Sequence, residues 1–203
     1  IPLQRCPDEI RRETINMGKL IYTMLISLDG YFEDSNGSFD WAEPKQDLHE
    51  YFNQMEADTE ILLYGRKMHE IMTFWENLKD EDDYPDYIHD YAKIWKTKQK
   101  IVFSRTLKSF ETSKTILKHD CSKSELLTIK ESTAGTIGIG GAEIASVALG
   151  LNLIDEIYAF IFPVLIGSGK KWITADALKK LTLMETRTFE DGVVMVRYAT
   201  KVE

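Results

Sequence analysis

Three short turns in the sequence carry residues suited to holding an anion. Gly65-Arg66-Lys67-Met68 follows the apolar run 60–64 and opens an amphipathic segment. The glycine permits a tight turn, and the helix start that follows would present free N–H groups and a positive dipole end to a phosphate. Arg66 and Lys67 add charge. Gly138-Ile139-Gly140-Gly141-Ala142-Glu143 joins a second apolar run to a small-residue segment. Its small residues allow close approach of a phosphate, although Glu143 stands where a strict dinucleotide fingerprint has its last glycine. Ser104-Arg105-Thr106 offers hydroxyls and a guanidinium, donors that fit a phosphate monoester. Each also has a plainer reading: a strand-to-helix turn, tight helix–strand packing and a capped turn. For proton chemistry the candidate is Asp47, near a helix start and beside the apolar Trp41 and Phe52. A carboxyl next to an apolar pocket can hold or donate a proton. An Asp at a helix start is also an ordinary cap or dipole partner.

These turns need elements to position them. Residues 20–28 form a compact apolar run, read as a buried strand broken by Asp29-Gly30. Residues 29–44 mix turn formers with Tyr31, Phe32, Phe39 and Trp41, and read as a long functional loop. Leu48, Tyr51, Phe52 and Met55 mark one helix face. Strands are expected over 60–64, 100–104, 136–139 and 154–162. Helices are expected from Arg66, through Trp95, over 122–131 with Ser122 as cap, and over 142–149 with Gly150 as stop. Asp191-Gly192 lies between two further strands, a hairpin signal. Strands alternating with helices predict an α/β fold of βαβ units, with a mostly parallel sheet covered on both faces and an antiparallel C-terminal hairpin. In such sheets ligands lie beyond the carboxyl ends of the strands, so the three turns are candidates for one shared site.

Composition narrows the function classes. The net charge of −8 opposes a nucleic-acid partner. The longest apolar stretch, 157–166, is interrupted by Pro163 and falls short of the ~20 residues that span a membrane. Two cysteines without CxxC spacing fit a reducing cytoplasm. Residues 1–16 read as an N-terminal extension and 17–203 as one domain. Two motif look-alikes fail. Gly167-Ser168-Gly169-Lys170-Lys171 has Val164 and Lys171 where a P-loop needs glycine and Ser/Thr. His49-Glu50 and His69-Glu70 have Asn53 and Thr73 where HExxH needs its second histidine, so no metal site is expected.

Taken in order, LISLDGYFED, YGRKM, VFSRT, IGIGGAEI and LNLIDEIYAFIFPVLIGSGKKW resemble the reductase domain of bacterial riboflavin biosynthesis enzymes and their dihydrofolate-reductase-like relatives. The resemblance runs from about Gly18 to the C-terminus. It implies a three-layer α/β/α domain with a central sheet of about eight strands and NADPH across the strand ends. It implies that Arg66 and Lys67, with Gly65 and Met68 in the same turn, hold the pyrophosphate or the neighbouring phosphate, and that Ser104 and Arg105 face the adenosine 2′-phosphate, with Thr106 beside them in the cofactor site. Gly140, Gly141, Ala142 and Glu143 would pass beside the cofactor, with a cis Gly–Gly peptide. Leu25 and Ile26 would flank the nicotinamide through backbone groups. Asp29, Trp41 and Phe52 are the expected substrate contacts and Asp47 the expected acid. The implied reaction is hydride transfer to a C=N or C=O carbon of a pteridine- or pyrimidine-type heterocycle. A homodimer is expected only because it is the commonest assembly of such chains. The alternatives are a nucleotide-binding protein without turnover and an interaction protein whose glycine turns merely pack.

Overall fold

The computed structural model describes residues 17–200; the extension expected over 1–16 lies outside them. In chain order the elements are β1 (Lys19–Ser27), β2 (Tyr31–Asp34), α1 (Gln46–Ala57), β3 (Thr59–Gly65), α2 (Arg66–Asn77), α3 (Asp86–Thr97), β4 (Gln99–Phe103) and β5 (Thr115–Lys118). They continue with α4 (Lys123–Ser132), β6 (Thr136–Gly140), α5 (Ala142–Gly150), β7 (Glu156–Phe162), β8 (Gly169–Lys171), β9 (Thr182–Thr188) and β10 (Val194–Ala199). Eight strands form one sheet in the order β5-β4-β3-β6-β1-β7-β10-β9. The first six of that order run parallel, while β10 is antiparallel to both β7 and β9.

Side-chain alternation along each strand builds the three layers. Leu20 and Tyr22 of β1, Leu63 of β3 and Ile137 and Ile139 of β6 pack under Leu126 and Ile129 of α4 and Ala145 and Ala148 of α5. On the other face, Ile21 and Leu25 join Phe160 and Phe162 beneath Leu48 and Phe52 of α1. Leu62, Tyr64 and Val102 meet Met72 of α2 and Trp95 of α3. Burying a side chain such as Leu48 or Phe160, both fully inaccessible, contributes about 1.5–3 kcal/mol. On that same face β6 carries Thr136, Gly138 and Gly140. A Cβ on the two glycines would stand 3.1 Å from Leu62 Cδ2 and 2.9 Å from Tyr64 Cε1, so the side chains of β3 lie across the glycines.

Three local expectations change. Residues 29–44 are not all loop, because Tyr31–Asp34 pairs antiparallel with Gly169–Lys171. The last three residues of the P-loop look-alike are therefore a strand. Gly150 does not stop α5: it is the last helical residue, and the left-handed position belongs to Asn152 (φ 57°). Asn152 N–H donates to Leu149 O (3.0 Å) and Leu153 N–H to Ala148 O (3.0 Å), the paired bonds of a Schellman ending. Asparagine tolerates that conformation, so no glycine is required. Ser122 does cap α4, accepting the Glu125 N–H at 3.3 Å.

Candidate active site

Unequal strand lengths open a notch at the carboxyl edge of the sheet. β1 pairs with β6 only over Lys19–Tyr22, then continues beside β7 through Ser27. β6 ends at Gly140, opposite Tyr64 of β3. Met24, Leu25 and Ile26 therefore overhang β6, and among the described residues no strand pairs with β1 on that side. Leu25 and Ile26, expected to offer backbone groups to a ligand, form this wall. Gly140 and Gly141 form the floor.

Two helices start at the notch. α2 begins after Gly65 and α5 after Gly141, and neither N-cap makes a side-chain hydrogen bond. The free N–H groups of a helix start remain available to an external acceptor. The two starts touch: a Cβ on Gly141 would lie 3.4 Å from Met68 Cβ, and one on Gly65 would lie 3.5 Å from Ile144 Cγ2. Gly141 holds φ at 103°, a conformation that side-chain-bearing residues avoid. No peptide bond among the described residues is cis, so the cis Gly140–Gly141 peptide implied by the resemblance is a correction. The positive φ of Gly141 turns the chain into α5 instead.

The third turn lies beside the first, since Gly65 pairs with Phe103 at the end of β4. Thus β4, β3 and β6, consecutive in the sheet, deliver all three turns to one edge. Ser104 is buried, and its Oγ accepts the N–H groups of Thr106 (3.2 Å) and Leu107 (3.0 Å), which shapes the turn. Arg105 and Thr106 are exposed. Among the described residues Lys67 and Arg105 have no ion-pair partner, whereas Arg66 reaches Glu70 at 2.8 Å along its own helix. Glu143 in the first turn of α5 pairs with Lys170 of β8 at 3.1 Å. An exposed pair of this kind is worth about 0–1 kcal/mol, so an incoming anion could exchange it.

The far wall is apolar. Trp41 stands edge-on to Phe162 with centroids 5.9 Å apart, and Phe52 lies 4.8 Å from Phe160 in the same cluster as Leu25. The Trp41 indole N–H is sequestered and has no hydrogen-bond partner among the described residues. Asp47 sits at this rim. Its Oδ2 accepts the Glu190 N–H (2.9 Å) and its Oδ1 the Leu48 N–H (2.8 Å), which ties α1 to the C-terminal hairpin. Asp29 is equally engaged: Ser27 Oγ donates to it at 2.6 Å, and the N–H groups of Gly167 and Ile166 donate at 2.8 and 3.3 Å. The Ser27 hydroxyl, followed by those amides, holds its carboxyl below the usual carboxylate range. Asp29 thereby stitches the end of β1 to the segment after β7 and supports the β2–β8 flap.

Several residues at this edge escape sequence reading. Lys170 and Lys171 belong to the flap, and Lys171 Nζ lies 3.9 Å from the centre of the Tyr31 ring. The only signal in the sequence was the failed P-loop spacing. His69, visible only as half of a failed zinc motif, is buried in α2 with Nε2 2.8 Å from Thr112 Oγ1. A separate cleft between α1 and α3, lined by Gln46, Glu50, Asn53, Asp86, Tyr87 and Asp90, lies on the side of α1 away from its core contacts. Its carboxylates are ill suited to a phosphate.

Among known proteins, the family model for the RibD C-terminal domain matches residues 18–195. The uncharacterized protein YyaP of Bacillus subtilis (strain 168) is 30% identical over 184 residues, which is 89% of this chain and 94% of that protein. A Shewanella sp. PV-4 structure assigned to riboflavin biosynthesis superposes with a TM-score of 0.72 at 20% identity, covering 91% of this chain and 99% of the other. Dihydrofolate reductase from Enterococcus faecalis, solved with NADP(H), superposes with a TM-score of 0.56 at 15% identity over 90% of this chain and 95% of its own. With its match over residues 18–195, the chain belongs to the RibD C-terminal domain family and carries that family's domain on a dihydrofolate-reductase-like fold.

Proposed function

We propose that the chain is an NADPH-dependent reductase that delivers hydride to a C=N or C=O carbon of a pteridine- or pyrimidine-type heterocycle. The observation that carries this reading is the notch above Gly140, where an unpaired strand edge, two touching uncapped helix starts and the unpaired Arg105 and Lys67 converge. These groups fit a dinucleotide. The starts of α2 and α5, with Arg66 and Lys67, suit the pyrophosphate. Arg105 and Thr106 suit the 2′-phosphate, with Ser104 holding their turn rather than reaching the ligand. The unpaired backbone edge of Leu25 and Ile26 suits a carboxamide, and the turn from Gly140 to Glu143 suits a cofactor passing beside it.

When bound, the nicotinamide supplies the hydride. The chain's own residues do the rest. Trp41, Phe52 and Leu25 form an apolar wall that orients a flat ring and excludes water. Asp47 is the carboxyl placed to hold a proton at the rim. Segment 29–44, held by Asp29 through the flap, closes over the site. NADPH should therefore slow limited proteolysis within it, and identical cleavage rates with and without NADPH would count against closure.

A second reading, nucleotide binding without turnover, is favoured by one observation: both Asp47 oxygens already accept backbone N–H groups. Thermal denaturation with NADPH and with NADH tests both. Ligand at ~100 times Kd stabilises by about 2.7 kcal/mol. NADPH should raise the melting temperature, and Arg105→Ala should diminish that rise far more than the rise with NADH. No shift with either nucleotide would sink both readings. A shift without turnover on dihydrofolate, pterins or ribosylaminopyrimidinones would select the second. A homodimer is the expected assembly, measurable by light scattering.

A further inference from the structure

We propose that His69 is a positioning residue that locks the loop bearing Arg105 and Thr106 to the start of α2, and so sets the preference for a 2′-phosphorylated dinucleotide. The proposal rests on the dinucleotide reading above. Residues 104–114 contain no helix or strand. Backbone bonds hold only their ends, from Ser104 N–H to Lys118 O (2.9 Å) and from Lys100 N–H to Lys114 O (2.8 Å). Ser104 Oγ shapes the turn at Arg105, but among the described residues no backbone–backbone bond holds the stretch from Lys108 to Ser113. A swaying loop would leave Arg105 to be ordered against α2 by the ligand, at an entropic cost of about 0.5–1.5 kcal/mol per immobilised side chain.

His69 supplies the missing hold. It lies one helical turn beyond Arg66 and is only 2% exposed. Its Nε2 is 2.8 Å from Thr112 Oγ1, and Thr112 Oγ1 is in turn 2.9 Å from Thr115 Oγ1 at the start of β5. The Phe110 ring stands edge-on to the imidazole at 5.8 Å. At the near end of the loop, Leu107 packs into the cluster that holds Met68, one residue before His69. The loop is therefore fastened to α2 at both Leu107 and Thr112. An imidazole buried without a partner is costly, so the polar contact is specific to this loop placement, whereas an apolar side chain would tolerate sliding. Burial, with Lys100 close by, holds the ring below its ordinary pKa and keeps it neutral at neutral pH. One buried side chain thus fixes the distance between the charges on α2 and those on the loop, which simultaneous charge-assisted bonds to the pyrophosphate and the 2′-phosphate of one dinucleotide require.

The test is a pair of nucleotide titrations, NADPH and NADH, on the full chain carrying His69→Ala, Thr112→Val or His69→Gln. His69→Ala and Thr112→Val should each weaken NADPH binding tenfold or more, with the loss for NADH at least fivefold smaller. His69→Gln, whose amide reaches toward Thr112, should recover most of the NADPH affinity. In an Arg105→Ala background, His69→Ala should add less than a threefold loss. If His69→Ala fails to fold, Thr112→Val carries the test from the loop side. Equal losses for the two nucleotides, or none, would overturn the proposal while the dinucleotide reading stands. Failure of the unaltered chain to prefer NADPH would overturn the 2′-phosphate assignment and this proposal with it.

Discussion

A methyl group on Gly140 would lie 2.9 Å from Cε1 and 3.0 Å from Cδ1 of Tyr64. That ring is buried, and its hydroxyl accepts the Trp95 indole N–H at 3.1 Å. Gly140→Ala must therefore displace a ring that has nowhere to go, and about 1–3 kcal/mol of stability should be lost. The change should appear as a lower denaturant midpoint at unaltered slope. Gly65→Ala is the informative contrast, since its added methyl meets only Ile144 at 3.5 Å. Stability near that of the unaltered chain, with nucleotide affinity reduced, is the expected outcome there. The Gly-Gly turn was legible in the sequence as a place of close approach. That Tyr64 is what approaches was not, because contact between strands distant in sequence leaves no local pattern. His69 is the same case: its partner Thr112 belongs to a loop whose path depends on the sheet.

At the scale of elements, the β2–β8 flap depends on one residue. Gly169 has φ 151°, and a Cβ there would lie 1.9 Å from Glu33 O. Gly169→Ala should unpair the flap and leave the sheet intact. Amide exchange would then rise over 31–34 and 169–171 but not over β1 or β7; unchanged protection there would show that the pairing is not built on this glycine. The apolar runs of β1, β3, β4, β6 and β7 announce themselves because a parallel strand buried on both faces is nearly all hydrophobic. β2 and β8 do not, since YFED and GKK are polar, short and paired only with each other. β5, with the sequence TILK, is legible only through its neighbour β4. The carboxyl-edge turns could be found because glycine and charge cluster there, while the notch depends on where β6 stops relative to β1, a matter of register.

For the molecule as a whole, Glu56 links stability to pH. It closes α1, and its Oε1 is sequestered without a hydrogen-bond partner among the described residues. Burial pushes its carboxyl up to about 7, against the opposing pull of Lys98, the Tyr91 hydroxyl and Lys100. Between the ordinary value of 4.5 and about 7 the folded chain keeps a proton that the unfolded chain has released. This group's contribution is therefore most favourable below that window and declines as pH rises through it. Glu56→Gln should raise the melting temperature more at pH 8 than at pH 5; equal gains would mean that the carboxyl ionises normally. The insertion of β6 between β1 and β3 has a kinetic consequence as well. β6 follows β3, β4 and β5 in the chain, yet it is the strand that joins them to β1. Until residue 140 has been synthesised, β1 and the β3–β4–β5 unit are separate fragments with unpaired edges, exposed to wrong partners. Closure then demands a pairing of high sequence separation, which is slow. Recovery of nucleotide binding during refolding should therefore track the slowest phase, because the binding edge does not exist until β6 is seated between β1 and β3.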